Sequence, residues 1–172
     1  MITVRRFGAD EWRTHRDLRL RALTDAPDSF GSTFEREAAR TDQDWATRLA
    51  HAATSSAEIP LVALQDDVPV GLAWGRQDDD EPGVAHLYQV WVAPDARGLG
   101  VARLLLDAVI AWAMERGMRE LQLDVTAGHP AALHLYRRAG FVEAGAPEPV
   151  RPGSEMLCQP MRLAISGRTD AH

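Results

Sequence analysis

An apolar run, Val90-Trp91-Val92-Ala93, passes through Pro94-Asp95-Ala96-Arg97-Gly98-Leu99-Gly100 directly into a helical repeat. Such a chain must set a strand, a glycine-bearing turn and a long helix end to end. Val101, Leu104, Leu105, Ala108, Val109 and Trp112 recur at helical spacing as one apolar stripe. Arg103, Asp107 and Glu115 lie off it, and Gly117 supplies the stop. The helix therefore packs on a core with its start facing outward. A helix start carries unpaired N–H groups and the positive end of the helix dipole, and glycines there admit an anion close to the backbone. Residues 97–102 are thus an expected anion site.

The kind of anion follows from what the turn lacks. A P-loop needs a lysine after its second glycine, and all 19 basic residues here are arginine. The same absence excludes a lysine Schiff base. A dinucleotide fingerprint needs a third glycine where Arg103 stands. What remains, Arg97-x-x-Gly100-x-Ala102, resembles the pyrophosphate-binding motif of the GNAT superfamily of acetyl-coenzyme A-dependent N-acetyltransferases. A second segment, His129-Pro130-Ala131-Ala132-Leu133-His134-Leu135-Tyr136-Arg137-Arg138-Ala139-Gly140-Phe141, is similar to that family's other cofactor-side motif. Pro130 suits a first helical position and Gly140 the position past the last, which gives a helix of about ten residues. Two such motifs in this order, a helix and a strand apart, are far more specific than either alone. The resemblance spans roughly residues 60 to 164.

Composition narrows the class. A length of 172 residues with 45% hydrophobic content suits one domain, expected over residues 1–165, with residues 166–172 as a disordered tail. No apolar run is long enough to span a membrane, and the first residues lack the apolar block of a signal peptide, so a cytoplasmic protein is expected. A formal charge of −6 argues against a nucleic-acid partner. Cys158 stands alone in an apolar segment, which excludes an internal disulfide and reads as a packed strand residue. The six histidines hold no H-E-x-x-H pair, and His129 and His134 are five apart on different helix faces, so no metal is expected. No G-x-S-x-G elbow is present. The acidic run Asp78-Asp79-Asp80-Glu81 reads as a solvated hairpin turn.

Periodicity places the other elements. Residues 2–7 alternate as a strand, and Asp10 is positioned to cap a helix through about Leu23. The segment Asp25-Ala26-Pro27-Asp28-Ser29 reads as a loop. Thr41 or Asp42 would cap a helix bearing Trp45, Leu49 and Ala52. Strands are expected at 59–64, 70–74, 86–92, 121–125 and 156–164, with residues from Phe141 onward also closing the sheet. The five tryptophans read as core and groove-lining residues, Trp12 and Trp45 being those on the early helices that could touch substrate.

The resemblance implies an α/β (α+β) fold: a mixed, mostly antiparallel sheet flanked by helices, with two strands splayed apart near Val92 and Val125 to hold acetyl-coenzyme A. It implies that backbone N–H groups of Arg97, Gly98, Leu99, Gly100, Val101 and Ala102 hold the pyrophosphate, that Arg103 adds charge one turn in, and that Val90 and Val92 bond the pantetheine arm through their backbone. Tyr136 would protonate the departing thiolate. His129 stands where the family usually has asparagine and would bond the pantetheine or cap its helix. Arg138 would reach the 3′-phosphate while Arg137 faces water. Dimers are common in the family.

The acceptor implied is a small-molecule amine, with protein N-termini or lysines as the alternative and a non-catalytic acyl-coenzyme A sensor as the reading from another class. An alkyl amine of pKa near 10.4 is free base about once in 10³ molecules at pH 7, a deficit of roughly 4.6 kcal/mol, so a base is needed. His86, Glu35, Glu37, Asp124 and a water wire are the candidates, and the sequence does not separate them.

Overall fold

The computed structural model describes residues 1–165; the expected disordered tail lies outside the described residues. Eight strands form one sheet: β1 (Ile2–Arg6), β2 (Glu58–Gln65), β3 (Val68–Gln77), β4 (Val84–Val92), β5 (Glu120–Thr126), β6 (Val142–Glu143), β7 (Glu148–Pro149) and β8 (Leu157–Ala164). The spatial order is β1-β2-β3-β4-β5-β8-β6, with β7 also on β8. Every pairing is antiparallel except β4 with β5. The family's mixed α/β sheet is therefore the observed one.

Five helices cover the two faces: α1 (Trp12–Asp25), α2 (Phe34–Ala38), α3 (Asp42–Thr54), α4 (Val101–Glu115) and α5 (Pro130–Ala139). Alternation along β2 and β3 sorts their side chains between two cores. Leu61, Ala63 and Ala73 join Leu105, Val109 and Trp112 of α4 and Tyr136 of α5. Val62, Leu64 and Leu72 join Leu18 and Leu23 of α1 and Leu49 of α3. Gly75 of β3 shows how closely α4 approaches, since a Cβ there would lie 2.9 Å from Ile59, 3.0 Å from Val109 and 3.1 Å from Trp112.

Three local expectations change. The buried arc of α4 runs through Val101, Leu105, Leu106, Val109, Ile110, Trp112 and Ala113, while Leu104 is 41% exposed. The helix lies across four strands, β1 to β4, and so broad a floor buries a wider arc, rotated away from Leu104. Asp10 does not cap α1, because Glu11 occupies the cap position and its carboxylate accepts from Gly8 N–H at 2.7 Å and Arg5 at 2.6 Å. Helix α2 was not foreseen. Thr33 caps it, accepting from Arg36 N–H, and five residues are too few to show a periodicity. Thr41 does cap α3, in a capping box with Asp44.

Two departures from regular pairing open the sheet. Strands β4 and β5 pair only at Val84–Glu120, Ala85–Leu121 and His86–Gln122, then part. Strand β4 continues on β3 to Val92, and β5 continues on β8 to Thr126. Between the Trp74–Tyr88 and Leu72–Trp91 pairs, β4 carries one extra residue, and Gln89 takes φ 59°. A splayed notch results, as the resemblance implied.

Candidate active site

The notch is bounded by the turn that starts α4. Pro94–Ala96 form a 3₁₀ turn, and Gly98 (φ 80°) and Gly100 (φ 82°) then take the left-handed conformation that favours glycine. A Cβ built on either would meet nothing within 4 Å, so the space before the helix is open. Leu104 is the residue whose N–H reaches the Gly100 carbonyl, at 3.1 Å. The N–H groups of Val101, Ala102 and Arg103 therefore have no carbonyl in their own helix. Val101 is buried, Leu99 is half exposed, and Arg103 pairs with Asp107 at 2.9 Å. A diphosphate fits this cradle, with donors and dipole directed at unfilled space.

Arg97 is engaged elsewhere. Its N–H points to Pro94 O at 3.4 Å, its Nε donates to Val92 O at 3.0 Å, and its Nη2 donates to Asp25 at 2.6 Å. The same Asp25 oxygen accepts from the Trp91 indole at 2.9 Å. The indole and the guanidinium hold the Asp25 carboxyl below its usual range. Arg97 thus braces the turn to the end of α1 rather than extending a free cation. Asp25 itself lay unnoticed in what read only as a loop, and no spacing rule would have found a partner 72 residues away.

Deeper in, one cleft of about 1010 Å³ is lined by Val90, Val92 and Ala102 on the cofactor side, with Tyr136 and Cys158 beyond. Tyr136 is 7% exposed, edge-on to Phe141, and burial pushes its phenol up to about 12. Gly140 closes α5 in the left-handed conformation (φ 104°), as expected. His129 precedes Pro130 but its side chain makes no capping bond; it meets Ser29 Oγ instead, at 2.5 Å. The pure capping role is thereby withdrawn. Arg138 is exposed, and Arg137 is exposed and paired with Glu143 at 2.8 Å. Cys158 is buried as expected, and burial with Asp124 and Glu148 nearby raises its thiol.

Farther along the cleft lie the candidate bases. His86 Nε2 meets Asp78 Oδ2 at 2.6 Å, and Asp78 in turn accepts from the N–H groups of Asp80 and Glu81. The His86 bond, then those two, bring the Asp78 carboxyl down to about 2. Part of the acidic hairpin thus has a partner. Asp124 lines the same space, its carboxyl raised by burial and by Glu148. Glu37, a candidate base from sequence, is 1% exposed and locked in a two-bond pair with Arg19 at 2.8 and 2.9 Å. Two guanidiniums around it, Arg19 and Arg40, outweigh burial and keep it an anion, which makes it a poor base. Glu35 is exposed on α2 and does not line the cleft. Trp45 is buried yet lines it, whereas Trp12 sits outside under Arg13 and Arg16. Among the described residues no His, Cys, Asp and Glu cluster could hold a metal, and no helix is long and apolar enough to cross a membrane.

Known proteins resemble this chain in sequence and in fold. The chain is 32% identical over 152 residues to mycothiol acetyltransferase of Cellulomonas flavigena, a match covering 81% of this chain and 40% of that protein. It thus spans well under half the length of that relative. Its fold superposes on a GNAT-family acetyltransferase from Streptococcus pneumoniae with a TM-score of 0.82 at 22% identity, covering 96% and 99% of the two chains. A putative acetyltransferase from Salmonella typhimurium, whose structure holds its cofactor acetyl-CoA, gives 0.76 at 21% identity over 99% and 95%. Residues 19–141 match the Acetyltransferase (GNAT) family from the middle of α1 through the second motif, and the chain belongs to that family.

Proposed function

We propose that residues 1–165 form one acetyltransferase domain that carries an acetyl group from acetyl-coenzyme A to the primary amine of a small molecule, by direct transfer in a ternary complex. One observation carries this reading: a single cleft joins the phosphate turn and Tyr136 to His86 and Trp45, so donor and acceptor share one space. Acetyl-coenzyme A supplies the activated thioester. The N–H groups of Val101, Ala102 and Arg103, opened by Gly98 and Gly100, hold its diphosphate, and Arg138 serves its 3′-phosphate. The β4 backbone at Val90 and Val92, freed from β5, holds its arm and polarises the acyl carbonyl.

Proton transfers fall to two side chains. Tyr136, kept protonated by burial, donates to the leaving sulfur. His86 takes the proton of the amine: in the tautomer that donates from Nε2 to Asp78, the Nδ1 lone pair is the acceptor. Cys158 is no covalent relay, because its thiol is held from ionising. The test is release of free thiol from acetyl-coenzyme A across a panel of small amines and a peptide with a free N-terminus. Release dependent on one class of small amine supports the proposal. Preference for the peptide points to a protein acetyltransferase, and tight cofactor binding without turnover to a sensor.

A further inference from the structure

The acceptor end of the cleft is electrically lopsided. Three guanidiniums, Arg19, Arg40 and Arg48, line the cleft here with two carboxylates, Glu37 and Glu58: Arg19 and Arg40 touch Glu37, Glu58 accepts from the Trp74 indole, and Arg48 makes no ion pair among the described residues. This surplus of positive charge sits inside a chain of formal charge −6. Arg19 is 4% exposed with Nη1 lacking a partner. Arg40 is disfavoured as a cation by burial and then by Arg48, ahead of any help from Glu37. A latch between α1 and α2 needs only Arg19 and Glu37; Arg40 and Arg48 go beyond it. The His86 end is acidic: Asp124 lines the cleft there under the influence of Glu148, Asp78 binds His86 from behind, and the lining Arg76 is paired with Asp79 at 2.7 Å.

Resting on the acetyltransferase reading, we infer that the acceptor amine also bears a carboxylate, which seats on Arg40 and Arg48 over the buried Arg19–Glu37 pair while its amine faces His86. Guanidinium forks match a carboxylate in shape and charge, and the acidic wall suits an incoming ammonium. The two walls orient an amino-acid-like zwitterion with its nitrogen toward the notch. A polyamine would instead meet three like charges.

The experiment compares thiol release with an α-amino acid, its primary amide, its decarboxylated amine, the matching aminophosphonate and a polyamine. The carboxylate should exceed its amide in kcat/KM by about tenfold or more, as expected for a charge-assisted pair. Arg48 is exposed, so Arg48→Gln leaves the fold in place; it should collapse that ratio through acceptor KM, with acetyl-coenzyme A affinity by calorimetry unchanged, and Arg48→Lys should restore part of it. Equal or better use of the amide, the decarboxylated amine or the polyamine overturns the inference while leaving the acetyltransferase reading intact. So does an unchanged ratio in Arg48→Gln. Preference for the aminophosphonate replaces the carboxylate with a phosphate-like group. Cofactor binding with no amine acetylated removes the enzyme reading and this inference together.

Discussion

Burial pushes the Tyr136 phenol up to about 12, the protonated state that its proposed role as proton donor requires. Tyr136→Phe keeps the ring packed on Phe141 and deletes the proton. Steady-state turnover should fall about 10- to 10³-fold with acetyl-coenzyme A affinity nearly kept, and unchanged turnover would remove Tyr136 from the mechanism. His86 predicts a pH signature. His86→Asn should lower kcat at pH 7, and the deficit should shrink as pH approaches about 10.4, where the amine supplies its own free base. A deficit constant with pH would mean a positioning role only. His15 is a question of stability. Burial among Phe7, Trp45 and Trp74 brings its pKa from 6.5 to about 4. The unfolded chain therefore binds the proton first as pH falls. The fold keeps its full stability above pH 6.5 and loses about 3 kcal/mol by pH 4. Urea midpoints of His15→Phe should fall less steeply over that window, and parallel pH slopes for the two proteins would refute a neutral buried ring.

The turn before α4 is where a single element builds the proposed diphosphate site. Left-handed φ at Gly100 costs a branched residue roughly 1–2 kcal/mol, and its side chain would fill the space before the free N–H groups. Gly100→Val should abolish acetyl-coenzyme A binding by calorimetry while the circular dichroism spectrum keeps its helical signal; normal affinity would mean the diphosphate sits elsewhere. This turn was legible because strand, glycines and helix are contiguous, so local chemistry alone fixes its shape. So was α5, bounded by Pro130 and Gly140. Leu104 was misassigned because spacing fixes a stripe's period but not how broad a floor it rests on. Asp25, Asp78 and the Arg19–Glu37 pair escaped because their partners lie 8 to 72 residues away and meet only in the folded chain. Among the base candidates, only the folded chain shows that Glu37 is consumed by Arg19 and that Glu35 lies outside the cleft.

At the scale of the molecule, α4 and α5 lie against one core of the sheet and α1 and α3 against the other. Arg97 links them, tying the α4 turn to Asp25 at the end of α1. A ligand seated in the notch therefore touches structure anchored in both cores and should stabilise the fold as a unit. Binding to the native state alone adds about 2.7 kcal/mol at a ligand concentration of 100 Kd. For a chain of this size each kcal/mol moves Tm by about 2–4 °C, so coenzyme A should raise a single cooperative melt by roughly 5–10 °C. Gly100→Val should melt a few degrees below the unliganded wild type, by its own backbone strain, and show no rise with coenzyme A. A biphasic melt in which only one phase responds to coenzyme A would show instead that the two faces unfold separately. The Asp25–Arg97 tie would then be too weak to couple them.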